Sequence, residues 1–195
     1  MNLKNYKIEV ISMSEEFTYE EPTSVRMLLF VAAMAALGFV LGSIAIPVCP
    51  NVHVQFGAVP MLITAVVAGP IYGFIVGFIM IMYTGLVIWG EVTVPFGFGF
   101  QGAAMAYLNK KLPFPIAGFL TWALVGLPYW VITEYFISGY PWELIFVIQI
   151  KSLFNDAILA PIVAYGLLKI TGIGKYIPVS WDTLASRKLL KEGNL

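Results

Sequence analysis

The stretch Phe56-Gly-Ala-Val-Pro-Met-Leu-Ile-Thr-Ala-Val-Val-Ala-Gly-Pro-Ile-Tyr-Gly-Phe-Ile-Val-Gly77 carries no charged residue. It holds two apolar runs separated only by Gly69-Pro70. Glycine ends helices and proline starts them, so the pair predicts a helix that stops and a second that begins at once. The charge-free zone extends outward on both sides. From Met27 through Asn109 the one charged residue is Glu91. Such a stretch cannot build a water-exposed surface, but it can build a lipid-exposed one.

The whole chain agrees. Of its 195 residues 59% are hydrophobic and 11% charged, with a mean hydropathy of +0.86 and zero net charge. Soluble domains carry roughly 25% charged residues. A soluble enzyme, a disordered chain, a coiled coil and a nucleic-acid binder are therefore excluded. The first 24 residues are polar and acidic (Glu9, Glu15, Glu16, Glu20, Glu21), the opposite of a cleavable signal.

Six spans are expected, about Val25–Val48, Gly57–Ala68, Ile71–Trp89, Val94–Leu108, Phe114–Ile137 and Trp142–Ile170. The fold class is thus an all-α integral membrane protein with six transmembrane helices. The second and fourth spans are short and rich in Gly or Pro, a feature of binding sites in transporters. Basic residues set the orientation. Lys4, Lys7 and Arg26 lie before or at span one, and Lys110 and Lys111 between spans four and five. Lys169, Lys175, Arg187, Lys188 and Lys191 lie at or after the end of span six. Six spans put all ten on one side, so the N- and C-termini are expected in the cytoplasm. The expected organisation is a cytoplasmic tail over 1–24, a membrane domain over 25–172 and a second cytoplasmic tail over 173–195. Within that second tail, Trp181, Leu184, Ala185 and Leu189 read as an interfacial cap.

The eleventh basic residue, Lys151, falls inside span six with Gln149, Ser152, Asn155 and Asp156. Intramembrane ionisable groups are costly and read as functional. At 100° per residue these side chains form one polar arc, with Lys151 roughly 13 Å below the outer end. That depth fits a pocket opening outward, where Lys151 meets an anionic or carbonyl group and Asn155 bonds a polar edge. The competing reading is a structural Lys151–Asp156 pair. Glu134 and Trp130 near the end of span five, and Gln101 in the glycine-rich span four, are further candidates; Gln101 either enters the pocket or bonds a neighbouring helix. Tyr140 and Trp142 read as an interfacial belt. The segment Cys49–Phe56 is a candidate lid. Cys49 and His53 supply at most two metal ligands, so neither a metal nor another cofactor is expected. In span one, Ala32-x-x-x-Ala36 and Gly38-x-x-x-Gly42 are small-residue patterns that let helices approach closely.

The run Ala32–Ala36, the proline-containing loop after it, and the Gly69-Pro70 junction with Gly73 and Gly77 resemble the S components of energy-coupling factor (ECF) transporters. The resemblance covers most of residues 25–172. It implies a prokaryotic, multi-pass plasma-membrane subunit that binds a vitamin or related micronutrient with high affinity. It also implies partnership with a T component and two ATPase subunits. The family's alanine motif contacts the T component, which carries over to Ala32 and Ala36. The family's pocket lies in the outer half, where Lys151, Asn155 and Glu134 are placed. The resemblance does not choose among thiamine, biotin, riboflavin and folate. Met1-Asn2-Leu3 lacks the histidine of the metal-specific relatives, which disfavours cobalt and nickel.

An enzyme is not expected. The chain lacks a Walker A loop, a Gly-x-Ser-x-Gly elbow and a His-Glu-x-x-His helix, and Asp156 and Asp182 are its only aspartates. The alternatives are a self-sufficient small transporter or channel, with Lys151 and Asp156 lining its path, or a ligand-free accessory subunit.

Overall fold

The computed structural model describes residues 25–44, 46–49 and 52–172, so both expected tails lie outside the described residues. Six helices account for most of these residues: α1 Val25–Ser43, α2 Ala58–Ala68, α3 Pro70–Ile88, α4 Val94–Leu108, α5 Phe114–Phe136 and α6 Trp142–Thr171. Four of them (α1, α3, α5 and α6) are long and apolar enough to cross a membrane. A small antiparallel hairpin, β1 Ile46–Cys49 and β2 Val52–Val54, joins α1 to α2.

Helix α2 is the centre of the bundle. Every residue from Ala58 to Ala68 is buried. It packs against α1, α3, α4 and the second half of α6. A helix apolar all round needs such a place. The other helices turn large apolar side chains outward, including Leu29, Val87, Phe136, Phe146 and Ile170. An apolar exterior on this scale matches lipid, not water.

Gly69 makes the sharp junction. Its φ is 97°, in a region that side chains with a Cβ rarely enter. Its N–H donates to the Ala65 carbonyl (3.1 Å), ending α2, and its own carbonyl accepts from Gly73 (2.9 Å), opening α3. Pro70 occupies the first helical position, where its missing N–H costs nothing. Gly69→Ala is expected to destabilise the bundle by about 1–2 kcal/mol through backbone strain. Thermal unfolding in detergent measures it, and an unchanged midpoint contradicts the strain.

Glycines also set the helix spacing. A Cβ on Gly73 would lie 2.7 Å from the Gly102 carbonyl oxygen, so α3 and α4 touch backbone to backbone. A Cβ on Gly42 would lie 2.5 Å from the Met80 carbonyl oxygen, so α1 and α3 do the same. Gly38 and Gly42 therefore face the bundle, whereas Ala32 and Ala36 face outward. The two small-residue patterns of α1 occupy different faces.

Three observations correct the sequence reading. Helix α1 ends at Ser43, not Val48, because Ile46–Cys49 pairs with Val52–Val54 as a strand. Alternating β-branched residues around Pro47 favour an extended chain over another helical turn. Next, α5 and α6 are not uniform α-helices. They open into π-turns at Trp122–Gly126 and Leu153–Leu159, each shortly before a proline, Pro128 or Pro161. Proline has no N–H and its ring crowds the carbonyl four residues back, so a wider turn relieves both. Finally, the 100° arithmetic fails beyond Ser152, because a π-turn advances less per residue.

Candidate functional site

The cavity lies where the hairpin and the turns after α3 and α5 meet one end of the bundle. It measures about 260 Å³ and is lined from six segments. Gln55 comes from the hairpin exit, and Trp89 and Glu91 from the α3–α4 turn. Val94 and Phe98 come from α4, Trp130 and Glu134 from α5, and Tyr140 from the α5–α6 turn. Helix α6 adds Ile148, Gln149, Lys151, Ser152, Asn155 and Asp156.

Of the residues expected at the site, Lys151, Asn155, Glu134, Gln149, Asp156 and Trp130 meet here. Gln101 does not. It is 3% exposed and lies against Gly126, where a Cβ would come within 2.7 Å of its Nε2. The glycine in the π-turn of α5 admits the amide between helices, which keeps it out of the cavity. Its Nε2 has no hydrogen-bond partner among the described residues.

The polar floor is a chain of directed hydrogen bonds. The Trp122 indole N–H donates to Ser152 Oγ (2.8 Å), and the Ser152 hydroxyl donates to Asp156 Oδ2 (2.8 Å). Asn155 Nδ2 donates to Asp156 Oδ1 (2.6 Å), and Asn155 Oδ1 accepts the backbone N–H of Gln55 (3.1 Å). Both oxygens of Asp156 are thus held by neutral donors. The Lys151 side chain makes no hydrogen bond and no direct ion pair among the described residues, although its charge attracts Asp156 from a longer distance. The Lys151–Asp156 alternative is found only as this longer-range attraction, not as a hydrogen-bonded pair. Asp156 orients Ser152 and Asn155, and the Lys151 ammonium is left for the cavity it lines.

One wall pairs Glu134 with Gln149. Both are 7% exposed, and Gln149 Nε2 donates to Glu134 Oε2 (3.1 Å). The other wall is aromatic. Trp130 packs on Phe98 with centroids 5.1 Å apart and edge-on to Tyr129 at 5.2 Å. Gly97 makes room for both rings, since a Cβ there would lie 2.7 Å from Tyr129 Cδ1 and would also strike Trp130. The glycine-rich start of α4 is therefore a seat for aromatic rings of α5.

At the mouth, the Tyr140 hydroxyl donates to Glu91 Oε1 (2.6 Å) and ties the two turns together. That bond, then burial, then the charges of Glu91 and Glu134 raise the Tyr140 pKa above its ordinary 10.0. The phenol stays protonated and keeps donating. Tyr140 lines the cavity, unlike the interfacial belt residue expected, whereas Trp142 is 56% exposed and stacks on Tyr135. A polar cap over a half-aromatic slot suits a small, flat, hydrogen-bonding molecule.

Sequence reasoning did not single out Gln55, Trp89, Glu91 or Phe98. Glu91 had a signal, as the one charge in a long neutral stretch. Gln55 was covered only as part of the candidate lid Cys49–Phe56, and Trp89 and Phe98 had no signal, because tryptophan and phenylalanine are ordinary at a membrane surface.

Comparisons with known proteins point the same way. No curated protein sequence matches the chain significantly. Among solved structures, an S component of a bacterial ECF transporter is similar, with a TM-score of 0.59 and 22% identity. The match covers 75% of this chain and 95% of that one, and it shows a shared fold. The sequence profile of the S component of ECF-type riboflavin transporters matches residues 22–172. The chain belongs to the ECF-type riboflavin transporter S component family, a multi-pass membrane family of substrate-binding transport subunits.

Proposed function

We propose that the chain captures riboflavin from outside a prokaryotic cell, in the cavity beneath the hairpin, for import by an ECF transporter. The observation that carries this reading is the cavity's division of labour. Phe98 and Trp130 offer ring contacts, while Lys151, Asn155 and Gln149 bring hydrogen-bonding groups to the same space. An isoalloxazine needs both, since it has a broad aromatic face and a polar edge of two carbonyls and an imide N–H. Lys151 donates to a ring carbonyl, and the Asn155 amide supplies a donor and an acceptor to the same edge. High affinity follows from a cavity assembled largely in advance.

The six helices act as six spans, the short α2 being enclosed by its neighbours while the short α4 turns Phe96, Phe100 and Tyr107 outward. The basic residues place both termini in the cytoplasm of a plasma-membrane protein. The tails 1–24 and 173–195 then lie on the cytoplasmic side. Energy comes from partners, namely a T component and two ATPase subunits. The outward-facing Ala32 and Ala36 form the docking strip for the T component, where small side chains let a partner helix come close.

The test is to purify the chain in detergent and titrate it with riboflavin. One-to-one binding with strong quenching of flavin fluorescence by the nearby tryptophans is expected. Saturable binding of thiamine or biotin, with none of riboflavin, would refute the reading.

A further inference from the structure

Resting on the riboflavin reading, we propose that Glu91 is a specificity-determining residue. Its carboxylate accepts hydrogen bonds from the ligand's polyol tail and repels a tail ending in phosphate.

Position comes first. Glu91 sits in the turn between α3 and α4 and lines the cavity mouth. The turn is fixed, because the Glu91 N–H donates to the Gly85 carbonyl (2.8 Å). Tyr140 holds one carboxylate oxygen, Oε1, at 2.6 Å. The other oxygen, Oε2, has no hydrogen-bond partner among the described residues. A carboxylate accepts several hydrogen bonds, so capacity remains for hydroxyl donors.

Charge comes next. The cavity is lined by three carboxylates, Glu91, Glu134 and Asp156, and one ammonium, Lys151. Neutral donors hold each carboxylate: Tyr140, Gln149, and the pair Ser152 and Asn155. Lys151 neutralises none of them by direct contact. Glu91 and Glu134 also repel one another. Lys151 lies nine residues into α6, roughly 13 Å along the helix from the turn that carries Tyr140. A flavin whose ring edge meets Lys151 and Asn155 therefore leaves its tail at Glu91. A phosphate monoester adds about −1.5 to −2 charges at neutral pH. At that end it faces the Glu91 carboxylate, and the cation is at the other end.

The chain is reconstituted in nanodiscs and titrated with three probes: riboflavin, its 5′-phosphate and the tail-less lumiflavin. Wild type is expected to prefer riboflavin over the phosphate. Glu91→Gln keeps the shape and removes the charge. It is expected to shift the preference toward the phosphate by about tenfold, with lumiflavin affinity unchanged. Tyr140→Phe keeps the charge and is expected to retain the discrimination. An unchanged preference in Glu91→Gln would overturn the inference. So would equal relaxation in Tyr140→Phe, which would assign the effect to the shape of the mouth. Wild type binding riboflavin yet taking the phosphate equally well defeats this inference alone. Wild type binding none of the three defeats the riboflavin reading and this inference with it.

Discussion

Lys151→Met is expected to weaken the proposed riboflavin binding by roughly 10–100-fold while leaving the protein folded. The size follows from a charge-assisted hydrogen bond, worth about 1.5–3 kcal/mol. The intact fold follows from the hydrogen-bond network. Removing one member of a buried ion pair is strongly destabilising, because the other charge is stranded. Asp156 is not stranded here, since Ser152 and Asn155 already hold both its oxygens. Fluorescence titration reads the affinity and thermal unfolding reads the fold. If Lys151→Met lowers the unfolding midpoint as much as Asp156→Ala does, the lysine is structural and its assignment to the ligand is wrong. If both affinity and midpoint stay at wild-type values, it serves neither purpose.

Gly102→Val is expected to have the largest effect on stability. Any Cβ at this position collides with the Gly73 backbone and comes within 3.1 Å of Met61 Cγ. Neither neighbour can yield cheaply, because Gly73 is main chain and Met61 is fully buried in α2. Helices α3 and α4 must separate, and inside a bilayer such contacts are held by close packing without a hydrophobic drive to restore them. Overpacking costs typically 1–3 kcal/mol and more where backbone is struck. A midpoint lowered by on the order of 10 °C is expected, with much of the chain lost to aggregation on extraction. Gly166→Ala is the control. A Cβ there meets nothing within 4 Å, so its midpoint should hold or rise slightly. Equal losses in the two variants would show that the close approach of α3 and α4 is not what the valine disrupts.

Much of the scaffold was legible before any coordinates. Helix α4 was expected over Val94–Leu108 and is found there, because Pro95 and Lys110 frame an apolar run on both sides. The polar group on α6 was equally plain, since charged and amide side chains stand out in an apolar span. What remained hidden depended on backbone detail. The π-turn over Leu153–Leu159 brings Asn155 and Asp156 into side-by-side contact, which regular helical geometry did not anticipate. Gln101 was open to two readings, the pocket or a neighbouring helix. Its polarity drew it toward the cavity, whereas the nearest space for it was the gap beside Gly126. Tyr140 was read from its depth alone, and depth does not distinguish a lipid-facing phenol from one bonded to Glu91.

Among the described residues, one hydrogen bond links the hairpin exit to the floor of the cavity, that between the Gln55 N–H and Asn155 Oδ1. A carbonyl oxygen has two lone pairs, so Asn155 Oδ1 can hold this N–H and still accept from a ligand edge. Loading and the seating of the hairpin exit then meet on a single atom, and whatever orients Asn155 for one orients it for the other. The Gln55 amide proton is thereby a natural reporter of loading. Its exchange with deuterated solvent should slow as the site fills, with no probe attached to the protein.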